Sequence, residues 1–139
     1  MKVLHITNNF PTEKHPIFGI FNKEQIESLT PLDIDNEIFF INGRERGKIE
    51  YFKSIWKIKK KLENDKFDLI HCHHTLSAVI LILSGSHKRN KILVSFQNDP
   101  IHELGTLTFK AIKKNTHGWI YKNNSLFIDN EFSFYLPNG

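Results

Sequence analysis

The amino-acid sequence predicts an α/β fold with one mostly parallel β-sheet and helices on both of its faces. Three observations support this prediction. Short apolar runs rich in β-branched residues alternate along the chain with longer segments of helical periodicity. The strand-like runs are almost continuously apolar, which is typical of strands that are covered on both faces. With 139 residues, the chain has the length of one domain with a single hydrophobic core.

The first strand–helix unit starts at the N-terminus. The run KVLHI at 2–6 predicts a strand, and the turn-forming residues and two prolines of 7–16 predict a loop after it. A helix is predicted over 17–29, and Pro31 should end it because the residue before a proline disfavours helical backbone. The predicted apolar stripe of this helix consists of Phe18, Phe21 and Leu29.

The second unit has a strand at 37–42, ended by Gly43, and a helix at 49–65. The helix is amphipathic, with lysines on one face. Its predicted apolar face consists of Phe52, Ile55, Trp56 and Leu62. Such a helix can lie on anionic lipid, or it can cover the sheet with its lysines in water.

Two further units complete the predicted sheet. The third has a strand at 67–71 and an apolar helix at 75–86 that ends at Gly85, and the fourth has a strand at 91–96 and a helix at 104–115. The patterns are weaker after that point, where two more strands are expected at 125–129 and 132–136.

The composition narrows the class of protein. The formal net charge is +4, which suits an anionic ligand or a membrane surface. The single cysteine excludes an internal disulfide and suits a reducing compartment. The N-terminus does not have the pattern of a signal peptide, and the longest apolar run, 76–83, is too short to span a bilayer. We therefore expect a cytoplasmic protein that can contact the inner face of the membrane.

A histidine cluster follows the third predicted strand. In DLIHCHHT, at 68–75, His71 and His73 point to the same face of an extended chain, whereas Cys72 points to the other. A zinc site would need further ligands, and no second CxxC or HxxxH pattern supplies them, so no metal is predicted. We expect His71 to be hydrogen-bonded in the core. His73 lies past the strand end, where an unpaired imidazole can meet substrate hydroxyls or phosphates.

Two other loops at the predicted carboxyl edge carry polar residues with two open interpretations each. Gly19 opens the first helix, where backbone amides can bind a diphosphate, but a turn glycine fits as well. Gln97, Asn98 and Asp99 follow the fourth strand and can bind sugar hydroxyls, but the same residues are common in turns. No GxSxG motif supplies a nucleophile, and Cys72 is expected to be inert.

Four stretches occur in an order and spacing that match one family. They are residues 1–29, FDLIHCHHTLSA (67–78), ILVSFQNDP (92–100) and YLPNG (135–139). Together they resemble the N-terminal domain of family-4 retaining glycosyltransferases of the GT-B fold. In the first stretch, the matching residues are Asn9, Phe10, Pro11, Gly19, Phe21, Glu24 and Gln25.

The resemblance implies a Rossmann-like domain, half of a GT-B fold, that would mainly hold the sugar acceptor. Gly19 and Asn9 match the loop that lies against the donor diphosphate. His73 matches a histidine near the transferred sugar and is the catalytic candidate, and Asp99 matches an aspartate on the acceptor side. Gln97 replaces the usual histidine and can hydrogen-bond without titrating near neutral pH. The co-substrate would be a nucleotide-diphosphate sugar, without a bound cofactor or metal.

Two hypotheses on function follow. In the first, residues 1–139 are the N-terminal domain of a retaining hexosyltransferase that acts on a cell-envelope glycan or a lipid-linked acceptor. Its C-terminal donor-binding domain is absent from this sequence, so the chain should be inactive alone, because charge on the leaving diphosphate would go unstabilised. In the second, the chain is a non-catalytic module that binds a glycan or a lipid head group, or a partner subunit of the same fold.

The resemblance and the charge pattern also imply partners. We expect a sugar acceptor and a C-terminal domain or partner chain. A peripheral contact with an anionic membrane through Lys57, Lys60 and Lys61 is the alternative to a lysine face that is simply solvated. Nucleic acid is not an expected partner, because arginines are few and no binding module is recognisable.

Overall fold

The computed structural model describes residues 1–122 and 132–136. The strands are β1 Lys2–Thr7, β2 Asp35–Phe40, β3 Leu69–Cys72, β4 Ile92–Phe96, β5 Gly118–Tyr121 and β6 Ser133–Tyr135. They form one six-stranded sheet in the order β2-β1-β3-β4-β5-β6. All neighbouring strands pair in parallel. The predicted α/β fold with a parallel, Rossmann-like sheet is therefore confirmed.

The helices follow the strands in the predicted alternation. They are α1 Ile20–Glu27, α2 Gly43–Arg46, α3 Ile49–Asn64, α4 Thr75–Leu83, α5 Pro100–Leu104 and α6 Thr106–Asn115. Two 3-10 turns lie between them, at Thr30–Leu32 and Ser86–Arg89. No helix in the described part of the chain combines the length and the apolar character that crossing a bilayer requires.

The strand order creates a switch point beside β1. From β1 the chain passes to β2 at the edge of the sheet, and it then returns to β3 on the other side of β1. The connections that leave β1 and β3 therefore diverge. In parallel sheets, the crevice at such a point, at the carboxyl ends of the strands, is the usual place for a ligand.

Helix α1 buries a different face from the one that the sequence predicts. Its buried residues are Asn22 and Ile26, which are one turn apart, whereas Phe21 is 39% exposed. The prediction that Phe21 lies on the buried stripe is therefore wrong. Pro31 lies in the 3-10 turn after the helix, so the predicted end before this proline is confirmed.

Helix α3 turns its aromatic residues toward solvent. Ser54 and Ile58, one turn apart, are buried against the sheet side of the helix. Phe52 and Trp56 are each two residues away from a buried position, about 200° around the helix, and are 65% and 72% exposed. The prediction that these two aromatic residues face the core is wrong. Two other members of the predicted face do pack against the core: Ile55 and Leu62.

The C-terminal half departs from the prediction at two points. The single helix predicted over 104–115 is divided into α5 and α6, because Gly105 has a φ of 87° that does not fit a helix. Strand β5 was not predicted, since its four residues begin with a glycine and show no alternation. Strand β6 confirms the strand expected at 132–136. Two other predicted segments lie outside the described residues: 125–129 and the PNG of 137–139.

Candidate functional site

The candidate site lies where β1, β3 and β4 end, at the carboxyl edge of the sheet. The segments that continue from these ends are 8–19, 73–74 and 97–99. The backbone N–H of His73 donates to the carbonyl oxygen of Ile6 at 2.9 Å. Pairing with β1 thus extends one residue beyond β3 and holds His73 in line with the strand.

His71 is a core residue, as predicted. Its ring is buried, and its Nε2 lies 2.7 Å from the hydroxyl oxygen of Ser95 on the neighbouring strand β4. Burial lowers the pKa of His71 to about 3, and the nearby His5 adds to this effect. The imidazole is therefore neutral at physiological pH. The next residue, Cys72, points to the opposite face, where burial raises the pKa of its thiol and favours the unreactive form.

Sequence reasoning missed His5, the partner of the cluster on β1. The register of β1 and β3 sets His5 directly opposite His71, so both rings lie on the same face of the sheet. The ring centroids of His71 and His73 are 3.9 Å apart, and those of His5 and His73 are 5.2 Å apart. The available signal was the single histidine within the apolar run KVLHI, because a buried polar residue in a central strand needs a partner.

A chain of hydrogen bonds runs from the edge strand β2 to His73. The Nδ2 of Asn36 donates to the carbonyl oxygen of Ile34, which fixes Asn36 Oδ1 as the acceptor 2.8 Å from His5 Nε2. His5 therefore carries its proton on Nε2 and accepts through Nδ1. The Nε2 of His73, 2.9 Å from that Nδ1, must then be the donor. Since a neutral imidazole carries one proton, His73 Nδ1 is left with a bare lone pair.

His73 is therefore an oriented hydrogen-bond acceptor. Burial lowers its pKa well below the usual value, and the neighbouring His71 and His5 add to this effect, so the ring stays neutral. The prediction of an unpaired imidazole is wrong for Nε2, which pairs with His5. It holds for Nδ1, which is shielded from solvent and has no partner among the described residues.

Asn22 ties three parts of the site together and was also missed. Its Nδ2 lies 2.9 Å from the carbonyl oxygen of Asn9, 3.1 Å from His74 Nε2 and 3.3 Å from the hydroxyl of Thr7. Because Nδ2 donates, the Nε2 of His74 accepts and its proton is on Nδ1. Burial lowers the pKa of His74 to about 4, opposed by the charge of Glu103. In the sequence, Asn22 was hidden among the polar residues of an irregular helix.

The structure brings Asn9 and Gly19 together. Gly19 precedes α1 with a left-handed φ of 72°, and a Cβ at this position would collide with the backbone of Asn9 and Phe10. A glycine is thus required here by the approach of the chain to itself. The turn interpretation of Gly19 is sufficient to explain the residue, and diphosphate binding remains a prediction.

Gln97 and Asp99 differ in whether their side chains form hydrogen bonds within the described part of the fold. The carboxylate of Asp99 caps α5, since its Oδ1 accepts from the backbone N–H groups of Ile101 at 2.9 Å and His102 at 3.3 Å. Turn chemistry therefore accounts for Asp99. The side-chain amide of Gln97 is shielded from solvent, and neither its nitrogen nor its oxygen has a partner among the described residues.

The site is marked by buried polar atoms that lack partners in the described part of the chain. They are Asn22 Oδ1, His73 Nδ1, Thr75 Oγ1 and both amide atoms of Gln97. Thr75 follows His74 directly, and Gln97 follows the strand next to β3. Each buried polar atom without a partner costs roughly 1–3 kcal/mol. The described part of the fold leaves the hydrogen-bonding capacity of these atoms unused.

The spacing of the histidines also raises the question of a metal ion. One ligand atom from each of His5, His71 and His73 lies within 4.8 Å of the other two. A metal ion binds in the plane of an imidazole, however, and the rings of His71 and His73 are stacked with an angle of only 29° between their planes. In addition, the His5–His73 hydrogen bond would have to break. This geometry suits hydrogen bonding rather than metal coordination, and the absence of a metal stays a prediction.

A family model described as "Glycosyl transferase 4-like" matches residues 20–131. No curated protein gives a significant match. The matched residues include His73, Gln97 and Asp99, whereas the loop with Asn9 and Gly19 precedes them.

Proposed function

Because the chain belongs to the glycosyl transferase 4-like family, we propose that it is the acceptor-side domain of a retaining glycosyltransferase. The donor is a nucleotide-diphosphate sugar, and the acceptor is a cell-envelope glycan or a lipid-linked glycan. The enzyme works on the cytoplasmic side of the membrane. Residues 1–139 form the N-terminal domain, and a C-terminal domain or partner chain binds the donor nucleotide.

One observation carries the proposal at the level of chemistry: the bare lone pair of His73 Nδ1 at the carboxyl edge. A sugar hydroxyl donates a hydrogen bond to this nitrogen, since the tautomer forces His73 to accept. The buried, neutral ring cannot act as an acid at physiological pH, because burial holds its pKa far below the usual range. His73 thus orients the transferred sugar rather than moving a proton.

The proposed reaction breaks the bond between C1 of the donor sugar and the diphosphate oxygen, which leaves with the electron pair. The acceptor hydroxyl oxygen then forms a bond to C1 on the same face of the sugar. The acceptor proton passes to the departing diphosphate. Because negative charge develops on that diphosphate, cationic groups of the C-terminal domain or partner chain are needed.

Neighbouring residues are assigned supporting roles. The amide of Gln97 bonds a hydroxyl of the same sugar, since both of its polar atoms are unused by the described residues. The Asn9–Gly19 loop faces the donor diphosphate. Asp99 lies on the acceptor side. Its carboxylate also caps α5 and fixes the start of that helix.

Nitrogen NMR of histidine in the isolated chain tests the assignment of His73. With ¹⁵N-labelled histidine, addition of the free sugar or of a glycan acceptor, whose binding needs no nucleotide-binding domain, should shift the unprotonated Nδ1 resonance of His73. His117 is the internal reference, because its Nδ1 already accepts from the backbone N–H of Ile92 at 3.1 Å. If no sugar in a panel of donors and glycan acceptors shifts His73, the proposed contact is wrong.

The second candidate function is a non-catalytic glycan- or head-group-binding module that works with a partner chain. It is favoured by an apolar groove between α4 and α6, where Leu83 is 63% and Leu107 is 84% exposed. A pairing surface of this kind suits a subunit. Sugar binding without transfer, even when the donor-binding domain is supplied, would favour the module over the enzyme.

A further inference from the structure

Helix α3 presents an apolar stripe to solvent. Ile49, Phe52 and Trp56 are 57%, 65% and 72% exposed. They are spaced by three and four residues, so they form one continuous stripe along the helix. Single exposed apolar residues are ordinary, but a stripe that includes two aromatic residues marks a surface for interaction.

Lysines flank this stripe on both sides. Lys53 and Lys60 are exposed on one side, and Lys59 on the other has its Nζ 5.9 Å from the centre of the Trp56 ring. None of these three lysines forms an ion pair within the described residues. Glu63, one turn beyond Lys59, is the one acidic residue near them on this side of α3. We define the α3 face as Ile49, Phe52, Trp56, Lys53, Lys59 and Lys60.

The remaining lysines of the helix are held by acidic partners. Lys57 bonds Glu50 at 2.9 Å. Lys61 pairs with Glu37 and, at 3.5 Å, with Asp65. Of the lysines that the sequence suggested for membrane contact, Lys60 is thus the one whose charge is unpaired within the described part of the chain.

We propose that the α3 face docks the protein on an anionic lipid surface. Phe52 and Trp56 enter the boundary between head groups and acyl chains, where an amphipathic helix buries its apolar face. Lys53, Lys59 and Lys60 contact lipid phosphates, and the net charge of +4 draws the protein to the surface. The inference goes beyond sugar transfer and does not depend on it.

Co-sedimentation of the full chain with vesicles tests the proposal. We expect binding to phosphatidylcholine vesicles that contain phosphatidylglycerol and little binding to pure phosphatidylcholine. Phe52→Ser with Trp56→Ser should abolish it, and Lys53→Glu with Lys60→Glu should weaken it by roughly fivefold or more for each lysine. All four side chains are exposed, so the variants should keep the fold.

A matched control uses another helix. Leu107, Lys110 and Lys114 of α6 are also exposed. Leu107→Ser with Lys110→Glu and Lys114→Glu changes the net charge as much as the α3 lysine variant does, but it should weaken vesicle binding clearly less. Quenching of Trp56 by brominated acyl chains, in a Trp119→Phe background, reports insertion directly. Equal binding by the α3 and α6 variants, or no binding by the wild type, would overturn the proposal. Self-association that is lost in the Phe52 and Trp56 variant, without lipid binding, would assign the α3 face to a second copy instead.

Discussion

Four histidines share the interior at the carboxyl edge, and each is held neutral by burial: His5, His71, His73 and His74. A neutral imidazole is both donor and acceptor, so the partner of one nitrogen determines the role of the other. At this scale, function depends on which nitrogen of each ring carries the proton.

Two substitutions of His73 separate its two nitrogens. In His73→Gln, the amide can replace Nε2 and still donate to His5, but no acceptor replaces Nδ1. In His73→Asn, the amide oxygen can replace Nδ1, but the bond to His5 is lost. We expect His73→Gln to lose sugar binding and His73→Asn to be the less stable of the two by about 1 kcal/mol, the value of one buried hydrogen bond. Urea unfolding and sugar titrations measure both effects. The opposite order in both measurements would mean that the two nitrogens have exchanged roles, and sugar binding unchanged in both variants would assign His73 to the core alone.

His74 predicts an acid-sensitive fold. Its pKa is about 4 in the folded protein, below the ordinary value of 6.5, so the unfolded state binds the proton more tightly. Stability from this residue is therefore complete above about pH 6.5 and is lost as the pH falls toward 4, by roughly 3 kcal/mol in total. His74→Gln, whose amide oxygen can still accept from Asn22, should reduce the slope of unfolding free energy against pH in this range. An unchanged slope would mean that other groups carry the acid sensitivity.

Some of the site residues could be predicted from the sequence, and others could not. The core position of His71 was predictable, because its spacing from His73 and the strand pattern are local. His5 and Asn22 were not, since their partners lie 68 and 52 positions away in the chain. Only the sheet register and the packing of α1 bring them together.

At the scale of elements, α3 shows why an apolar pattern can mislead. Its aromatic residues fall in a helical stripe, which sequence reasoning assigns to the core. The core instead takes the stripe with Ser54 and Ile58, and the aromatic side chains Phe52 and Trp56 face outward. When a helix has two apolar stripes, its sequence alone does not determine which one is buried, because this depends on how the helix packs against the sheet.

Two glycines that flank helices offer a matched pair of substitutions. Gly19 and Gly85 both have left-handed backbone, with φ of 72° and 77°, but of these two only Gly19 has atoms that an added Cβ would meet. Gly85→Ala should cost about 1–2 kcal/mol, the strain of a left-handed alanine. Gly19→Ala should cost clearly more, because the loop at Asn9 must also move. Thermal unfolding of the two variants gives the comparison, and equal losses would contradict the close approach at Gly19.

At the scale of the whole molecule, the order of the strands in the sheet is the feature that the sequence predicts least. The alternation of strands and helices indicates a parallel sheet, but it does not give the position of each strand. The switch point beside β1 is what gathers the loops after β1, β3 and β4. These loops carry every candidate residue that the sequence suggested for sugar binding.

Residues 1–139 by themselves are not expected to complete the proposed reaction. Given nucleotide-diphosphate sugars and glycan acceptors, this purified segment should show no transfer, because the charge on the leaving diphosphate would go unstabilised. Mass spectrometry of the acceptor measures the product. Turnover that His73→Gln abolishes would show instead that this chain is sufficient, while keeping the role of the histidine.

The hydrogen-bond chain through the sheet has a consequence for how this site could diversify. Asn36 lies on β2, at the outer edge of the sheet, and its oxygen fixes the direction of every proton as far as His73. A donor in place of that oxygen would reverse both imidazoles in sequence, and Nδ1 of His73 would then carry a proton. One substitution on a distant strand would thus turn Nδ1 of His73 from a hydrogen-bond acceptor into a donor, without altering His73 itself.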